Sequence, residues 1–328
     1  MNSKTALPAL ALSCLLAVSG CGQQQDSRGA VTGVERPPAT VELSDAELDN
    51  LVRRSYQYVA MFNVNNKMAL DETSPSSTGG YNRVYVNTEL LDHTNKFIAR
   101  TNNDTLYVFA MVDVTEEPMV LELPAFNSVY VSLMVTAYDH YVTVPMSTGQ
   151  GDFDEPATVL FYSDRTPGYD GAPVEGVDKV IETSGDFVSA VLRVMPHAAE
   201  PGRLEANLAA MRTVGLVSLS EFQGAADDNA EFLPWGSPPG IEPRLSLKQD
   251  LARFPAFGSD LEIYEERFLE VMQFVLNHTT FDPKDPLDTA LLETLAPLGL
   301  APGRAWDPDA AAQVDGAALR ATAEEVSK

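Results

Sequence analysis

The stretch "TNNDTLYVFAMVDVTEEPMVLELP", residues 101–124, sets Asn102, Asn103, Asp104, Thr105 and Tyr107 at the mouth of a long apolar run. A carboxylate held partly out of water at a strand end can act as a general base, and a phenol beside it can pass the proton on. Further along, Tyr138 and Asp139 close a second β-rich run, and Arg193 alternates with Val191 and Ser189 in a third. If these strand ends converge, two carboxylates, two phenols and a guanidinium line one pocket. The catalytic candidates are then Asp104, Tyr107 and Arg193, and the ligand-binding set is Asn103, Asp104, Thr105, Tyr107, Tyr138, Asp139 and Arg193. A local reading stands beside this one. Asn and Asp side chains bond to the backbone two residues on, so the cluster is equally a turn that opens a strand. Arg193 is equally one half of a buried ion pair with Asp104 or Asp113.

Other chemistries find little support. His93, His140, His197 and His278 are dispersed, without the HxH or HExxH spacing of a metal site; only the Asp139–His140 neighbours and the acidic "GDFDE" at 151–155 compete with ordinary turns. No GxSxG elbow or SxxK motif is present, and no GxGxxG or Walker loop, so no cofactor is expected.

The elements that must position the candidates follow from periodicity. "SDAELDNLVRRSYQYVAMF" opens with a capping box at Ser44 and Glu47, and Leu48, Leu51, Val52, Tyr56 and Val59 recur at helical spacing. Residues 68–96 read as loop. "TLYVFAMVD", "PMVLELP", "SVYVSLMVT", "YVTVP", "ATVLFYS" and "VSAVLRV" are then short Val- and aromatic-rich runs separated by turn residues. In the first of them Leu106, Val108 and Val112 oppose Tyr107, Phe109 and Met111, so a strand covered on both faces is expected. Beyond Pro196 the period returns to helical in "RLEANLAAMRTV", in "SDLEIYEERFLEVMQFVLNH" capped by Ser259, in "PLDTALLETLAPLG" and in an Ala-rich stretch after Asp307, with "WGSPPGIEPR" as a loop. The expected fold is α+β: an antiparallel, jelly-roll-like β-sandwich preceded by one helix and followed by a helical C-terminal part.

The N-terminus and the overall charge give the expected setting. "MNSKTALPALALSCLLAVSGC" has an early Lys4, an apolar stretch too short to span a bilayer, and small residues before Cys21, the pattern of a lipoprotein signal peptide. Cys21 is the expected lipidation point, and of the two cysteines only Cys14 remains, inside the signal. The expected division is a signal at 1–20, a lipidated Cys and polar tether at 21–42, the helix and sandwich at 43–196, and the helical part at 197–328 packed on the sandwich. Gly22 after the Cys, in place of Asp, resembles the signal for outer-membrane sorting, so the expected location is the outer membrane with the domain facing the periplasm. The 22 Lys and Arg against 47 Asp and Glu leave a formal charge of -25, which opposes phosphate backbones, so no nucleic-acid partner is expected. A small-molecule or cationic ligand is compatible with it, and contact with the membrane is through the lipid alone.

The opening stretch resembles the signature of the bacterial family called domain of unknown function 1254, an Asn-x-Asp-Thr-x-Tyr-like run with a following Asp and a Pro-bounded strand. Asn102 or Asn103, Asp104, Thr105, Tyr107 and Asp113 occupy the matching positions. "YVSLMVTAYDHY", Arg193 in "VLRVMP" and "LGLAPGRAWDP" extend the likeness over about residues 49–308. Two departures stand out: "VPMSTGQG" replaces the family's Gly-Thr-rich segment, and the second β half that many relatives carry has no counterpart. The expectation is a lipid-anchored envelope protein that binds a small ligand or an envelope partner. The alternative is a cofactor-free enzyme, of hydrolase or lyase type, working through the carboxylate, Tyr and Arg cluster.

Overall fold

The computed structural model describes residues 40–71, 73–74, 76–94, 102–224, 254–309 and 311–328. The signal peptide, Cys21, most of the tether and the "WGSPPGIEPR" loop lie outside these residues. The first helix, α1 (Asp45–Leu70), starts where the sequence indicates: the Ser44 hydroxyl accepts from the Glu47 amide and the Glu47 carboxylate accepts from the Ser44 amide at 2.8 Å. It runs into the stretch expected to be loop, because Phe62, Asn63, Asn65, Asn66 and Ala69 continue its buried face.

Nine strands follow in the middle of the chain: β1 (Arg83–Asn87), β2 (Leu106–Asp113), β3 (Met119–Leu123), β4 (Val131–Thr136), β5 (Val142–Ser147), β6 (Ala157–Tyr162), β7 (Lys179–Glu182), β8 (Phe187–Val194) and β9 (Gly215–Ser218). They form a five-stranded sheet in the order β1-β2-β8-β4-β5 and a four-stranded sheet in the order β7-β6-β3-β9. All pairings are antiparallel except β6 with β7. Neither sheet closes into a barrel, and the fold is the expected α+β sandwich.

Alternation along the strands divides the side chains between two cores. Leu106, Val108 and Val112 of β2, Leu133 of β4 and Leu192 of β8 meet Met119, Leu121 and Phe161 of the other sheet in the space between the two layers. Met111 and Phe187 point the opposite way, into a second core with α1 and the C-terminal helices. After the sandwich come α2 (Pro201–Met211), whose Met211, Leu204 and Leu208 pack on the core between the sheets, and the short α3 (Leu219–Phe222). The helices of the second core are α4 (Asp260–Glu262), a π-turn at Ile263–Arg267, α5 (Phe268–Asn277), α6 (Pro286–Leu295) and α7 (Gly316–Val326). As the stripe implies, Tyr264, Phe268, Met272 and Val275 are buried, and Ser259 accepts from the Glu262 amide. Gly316 marks a close crossing, since a Cβ there would overlap the backbone carbonyl of Glu265.

Three strands escape the periodicity. β1 and β7 hold half-buried or exposed residues throughout, and β9 is four buried residues with no alternation, placed after α2 rather than before the helices.

Candidate functional site

The first half of the residue set lies at one end of the five-stranded sheet. Asn102 makes the turn: its Oδ1 accepts from the Asp104 amide at 2.8 Å and its Nδ2 donates to Thr105 Oγ1 at 3.0 Å. Thr105 is thereby buried, while Asn103 and Asp104 face solvent. The cluster at the strand mouth is an Asx turn built on Asn102.

Two residues on, the register produces an ordered row. Tyr107 on β2 sits opposite Asn87 on β1 and Arg193 on β8, Arg193 sits opposite Ser132 on β4, and Ser132 sits opposite Ser147 on β5. Register partners share a face of a sheet, so five strands each contribute one polar or phenolic side chain to a single line. The Arg193 guanidinium lies over the Tyr107 ring, 5.8 Å from its centre. Its Nε is buried without a hydrogen-bond partner, and Arg193 makes no ion pair with any described residue. The expected pairing with Asp104 or Asp113 is not made, because Asp113 pairs with Phe187 at the far end of β2. Tyr130, two residues before Ser132 and so on the same face, places its hydroxyl 3.1 Å from Ser132 Oγ.

The adjacent row on that face is apolar: Tyr85, Phe109, Val191 and Met134 follow one another across β1, β2, β8 and β4. Phe109 stacks on Tyr107 at 5.4 Å between ring centres and on Tyr85 at 6.3 Å. Burial, reinforced by the Glu89 carboxylate, raises the Tyr85 phenol above its usual range. None of Tyr107, Phe109, Val191 or Met134 joins either main hydrophobic core, in contrast to Met111 on the same strand face. Phe109, Met134 and Arg193 remain partly exposed. The result is a shelf with a polar row bearing one cation and, roughly 7 Å along the strands, a row of rings and aliphatic groups.

The second half of the set does not converge on this shelf. Thr136 pairs with Ser189, so Tyr138 and Asp139 lie beyond it, near Phe187 and Asp113. Six residues of strand separate the Tyr107 and Asp113 ends, about 20 Å. Tyr138 is fully buried among Phe62, Phe187 and Phe274. Burial, with Tyr81 and the Asp113 and Asp186 carboxylates adding to it, pushes its phenol well above the ordinary range, so it serves as a neutral core residue. Asp139 is also buried and accepts from the Tyr141 amide at 3.1 Å. Burial raises its carboxyl; the Ser184 and Tyr141 hydrogen bonds oppose that rise and the nearby Asp288 carboxylate adds to it. His140 stands in a left-handed turn with φ of 66°, its amide returning to Ala137. In the acidic stretch at 151–155, Asp152 pairs with Lys179 at 2.8 Å and accepts from the Ser147 amide. Among the described residues no group of three or more His, Cys, Asp or Glu side chains is placed to hold a metal ion.

Sequence reasoning did not single out the charged centre at this far end. The Asp186 carboxylate, 4% exposed, accepts from Ser163 Oγ at 2.6 Å and from Arg165 Nε at 3.0 Å, and meets His278 Nδ1 at 2.7 Å. Arg165 Nη2 adds an ionic contact at 2.9 Å outside hydrogen-bond alignment. Burial acts to raise the Asp186 carboxyl, but the bonds from His278, Arg165 and Ser163 outweigh it and hold the group below its usual range. The backbone is stitched at the same place, Asp186 donating to the His278 carbonyl and Thr280 to the Ser184 carbonyl. This cluster fastens the end of α5 to the sandwich.

Other surface grooves are lined by described residues elsewhere. One, of about 360 Å³, runs between α1 and α6 past Asn50, Arg54 and Thr294; another, about 400 Å³, lies beside the π-turn and Trp306. In the second, Arg267 pairs with Glu270 and Glu265 with Arg320. On the aromatic shelf the cation, Arg193, has no ion-pair partner among the described residues.

Comparison with known proteins fits this architecture. Residues 81–213 match the family described as "Protein of unknown function (DUF1254)". The resemblance in the Asn-Asp-Thr-Tyr stretch is therefore shown over a segment that runs from just before β1 through α2. The DUF1254 segment contains every strand of the five-stranded sheet; His278 and "LGLAPGRAWDP" fall outside it. No curated protein gives a match. The fold is similar to the crystal structure of the VPA0106 protein from Vibrio parahaemolyticus, with a TM-score of 0.54 and 18% identity over 86% of this chain and 57% of that one. The chain thus spans a little over half the length of that neighbour. An uncharacterised protein from Burkholderia cenocepacia overlaps 51% of this chain and 54% of its own at 14% identity, with a TM-score of 0.25.

Proposed function

We propose that the protein is a lipid-anchored envelope protein that binds a small molecule on the shelf formed by Tyr107, Arg193, Ser132, Phe109 and Tyr85. The observation that carries the reading is Arg193. A guanidinium whose Nε is buried without a partner forgoes hydrogen bonds it would make in water, and a ligand restores them. The neighbouring rings offer apolar area at low entropic cost. Binding is favoured over turnover because the carboxylate proposed as base, Asp104, faces solvent in the Asx turn, and Tyr138 and Asp139 sit at the far end of the sheet. The shelf's charge is positive, which supports an anionic rather than a cationic ligand.

Thermal shifts of the purified full chain across a small-molecule library test this, with Phe109→Ser as the control. Hits should stabilise the parent protein and lose most of their effect in the variant. Hits that stabilise both equally would move the site elsewhere. The anchor rests on the "VSGC" motif at 18–21. Cys21→Ser should shift the protein from the membrane to the soluble periplasmic fraction, and persistence in the membrane pellet would refute the lipid attachment.

A further inference from the structure

The two rows of the shelf differ in chemistry, and that difference specifies a ligand. From the polar row and the residue flanking it, Arg193, Ser132, Tyr130 and Tyr107 present a guanidinium and three hydroxyls. From the apolar row, Phe109, Tyr85, Val191 and Met134 present rings and aliphatic surface. Arg193 is the only cation in the polar row. A guanidinium recognises carboxylate by paired, charge-assisted hydrogen bonds, and its partly buried position strengthens them. Stacked Tyr107, Phe109 and Tyr85 favour a flat body.

Resting on the binding reading above, we infer that the ligand is a small planar carboxylic acid, its carboxylate on Arg193 and Ser132 and its flat apolar body over Phe109. One competing charge is Glu89, whose carboxylate acts on Tyr85 at the outer strand β1. It disfavours a carboxylate at that end and so orients the acid group towards Arg193. The overall negative charge of the protein slows the approach of an anion from afar, so the preference is written in short-range contacts and survives in high salt.

The test is calorimetric titration of the full chain with three probes of one shape: 2-naphthoate, 2-naphthalenemethanol and 2-naphthylmethylamine. Naphthoate should bind at least about tenfold tighter than the alcohol, the worth of one charge-assisted hydrogen bond, and the amine weakest. Arg193→Gln should abolish the preference for naphthoate over the alcohol, bringing the two affinities together. Arg193→Lys should fall between. Ser132→Ala, which leaves the guanidinium in place, should weaken naphthoate more than the alcohol and serves if the Arg193 variants do not fold. Equal affinity for acid and alcohol would overturn the carboxylate while sparing the shelf as a binding site. Tightest binding of the amine would overturn the charge assignment. If no probe binds, the shelf itself is not a site and the inference falls with it.

Discussion

Replacing Asp186 tests whether the buried charged centre holds the helical part to the sandwich. The carboxylate is 4% exposed and engages three partners, Ser163, Arg165 and His278, two of them cationic or able to become so. Removing one member of a buried, hydrogen-bonded charge cluster costs about 3–5 kcal/mol. Asp186→Ala belongs at the lower end, because the Arg165 side chain is 30% exposed and keeps Asp164 at 2.6 Å. The expected loss is about 3 kcal/mol, or about 6 °C in melting temperature for a domain of this size. The pH dependence adds a second readout. In the folded protein the Asp186 carboxyl is held below its ordinary value, so the unfolded chain binds the proton more tightly. The stabilisation is therefore complete above the unfolded value of about 3.9 and is lost as the pH falls through the lower folded value. Urea unfolding of both proteins, followed by circular dichroism from pH 7 down to about pH 2.5, should show a gap that is constant at neutral pH and narrows in acid. A gap under about 1 kcal/mol at pH 7, or one that does not change in acid, would refute the reasoning.

Asp139 should behave in the opposite sense. Burial raises its carboxyl in the fold, so its contribution is favourable below the unfolded value and is lost as the pH rises through the folded one. Asp139→Asn keeps an oxygen for the Tyr141 amide and removes the cost of burying the charge, so it should stabilise the protein at pH 7 by about 1 kcal/mol, with no gain in acid. A thermal melt at both pH values decides it. Gly316→Ala should destabilise by about 2 kcal/mol, since the added methyl meets a backbone carbonyl with no room to yield; an unchanged urea midpoint would show that α7 shifts freely. Tyr107→Phe should leave the melting temperature within about 1 °C, as it removes only a hydroxyl that has no hydrogen-bond partner among the described residues, yet weaken any acid bound there.

The strands that line the shelf were the most legible part of the sequence. β2, β4 and β8 carry alternation with large residues on both faces, and that pattern fixes which side chains share a face. Alternation places Arg193 on one face with Val191 and Ser189, and on that face it meets Tyr107. What alternation could not supply was register. Whether Tyr138 falls opposite Tyr107 or six residues away depends on how β4 slides along β8, and no local signal sets that. β1 and β7 were missed because half-buried strands at or near a sheet edge need no apolar period, and β9 because a strand buried on both faces has none. Asp186 and His278 are 92 residues apart in the chain, so their bond is written only in the tertiary fold. Ser44, Ser259 and their glutamates show the converse, since a cap is a contact over three residues and is legible directly.

Chemical-shift mapping of the purified protein during titration with 2-naphthoate addresses the shelf most directly. If small molecules bind there, the perturbed signals cluster at Tyr107, Phe109, Tyr130, Ser132 and Arg193, and the groove between α1 and α6 stays silent. Shifts confined to that groove, or to the surface around Trp306, would contradict the assignment.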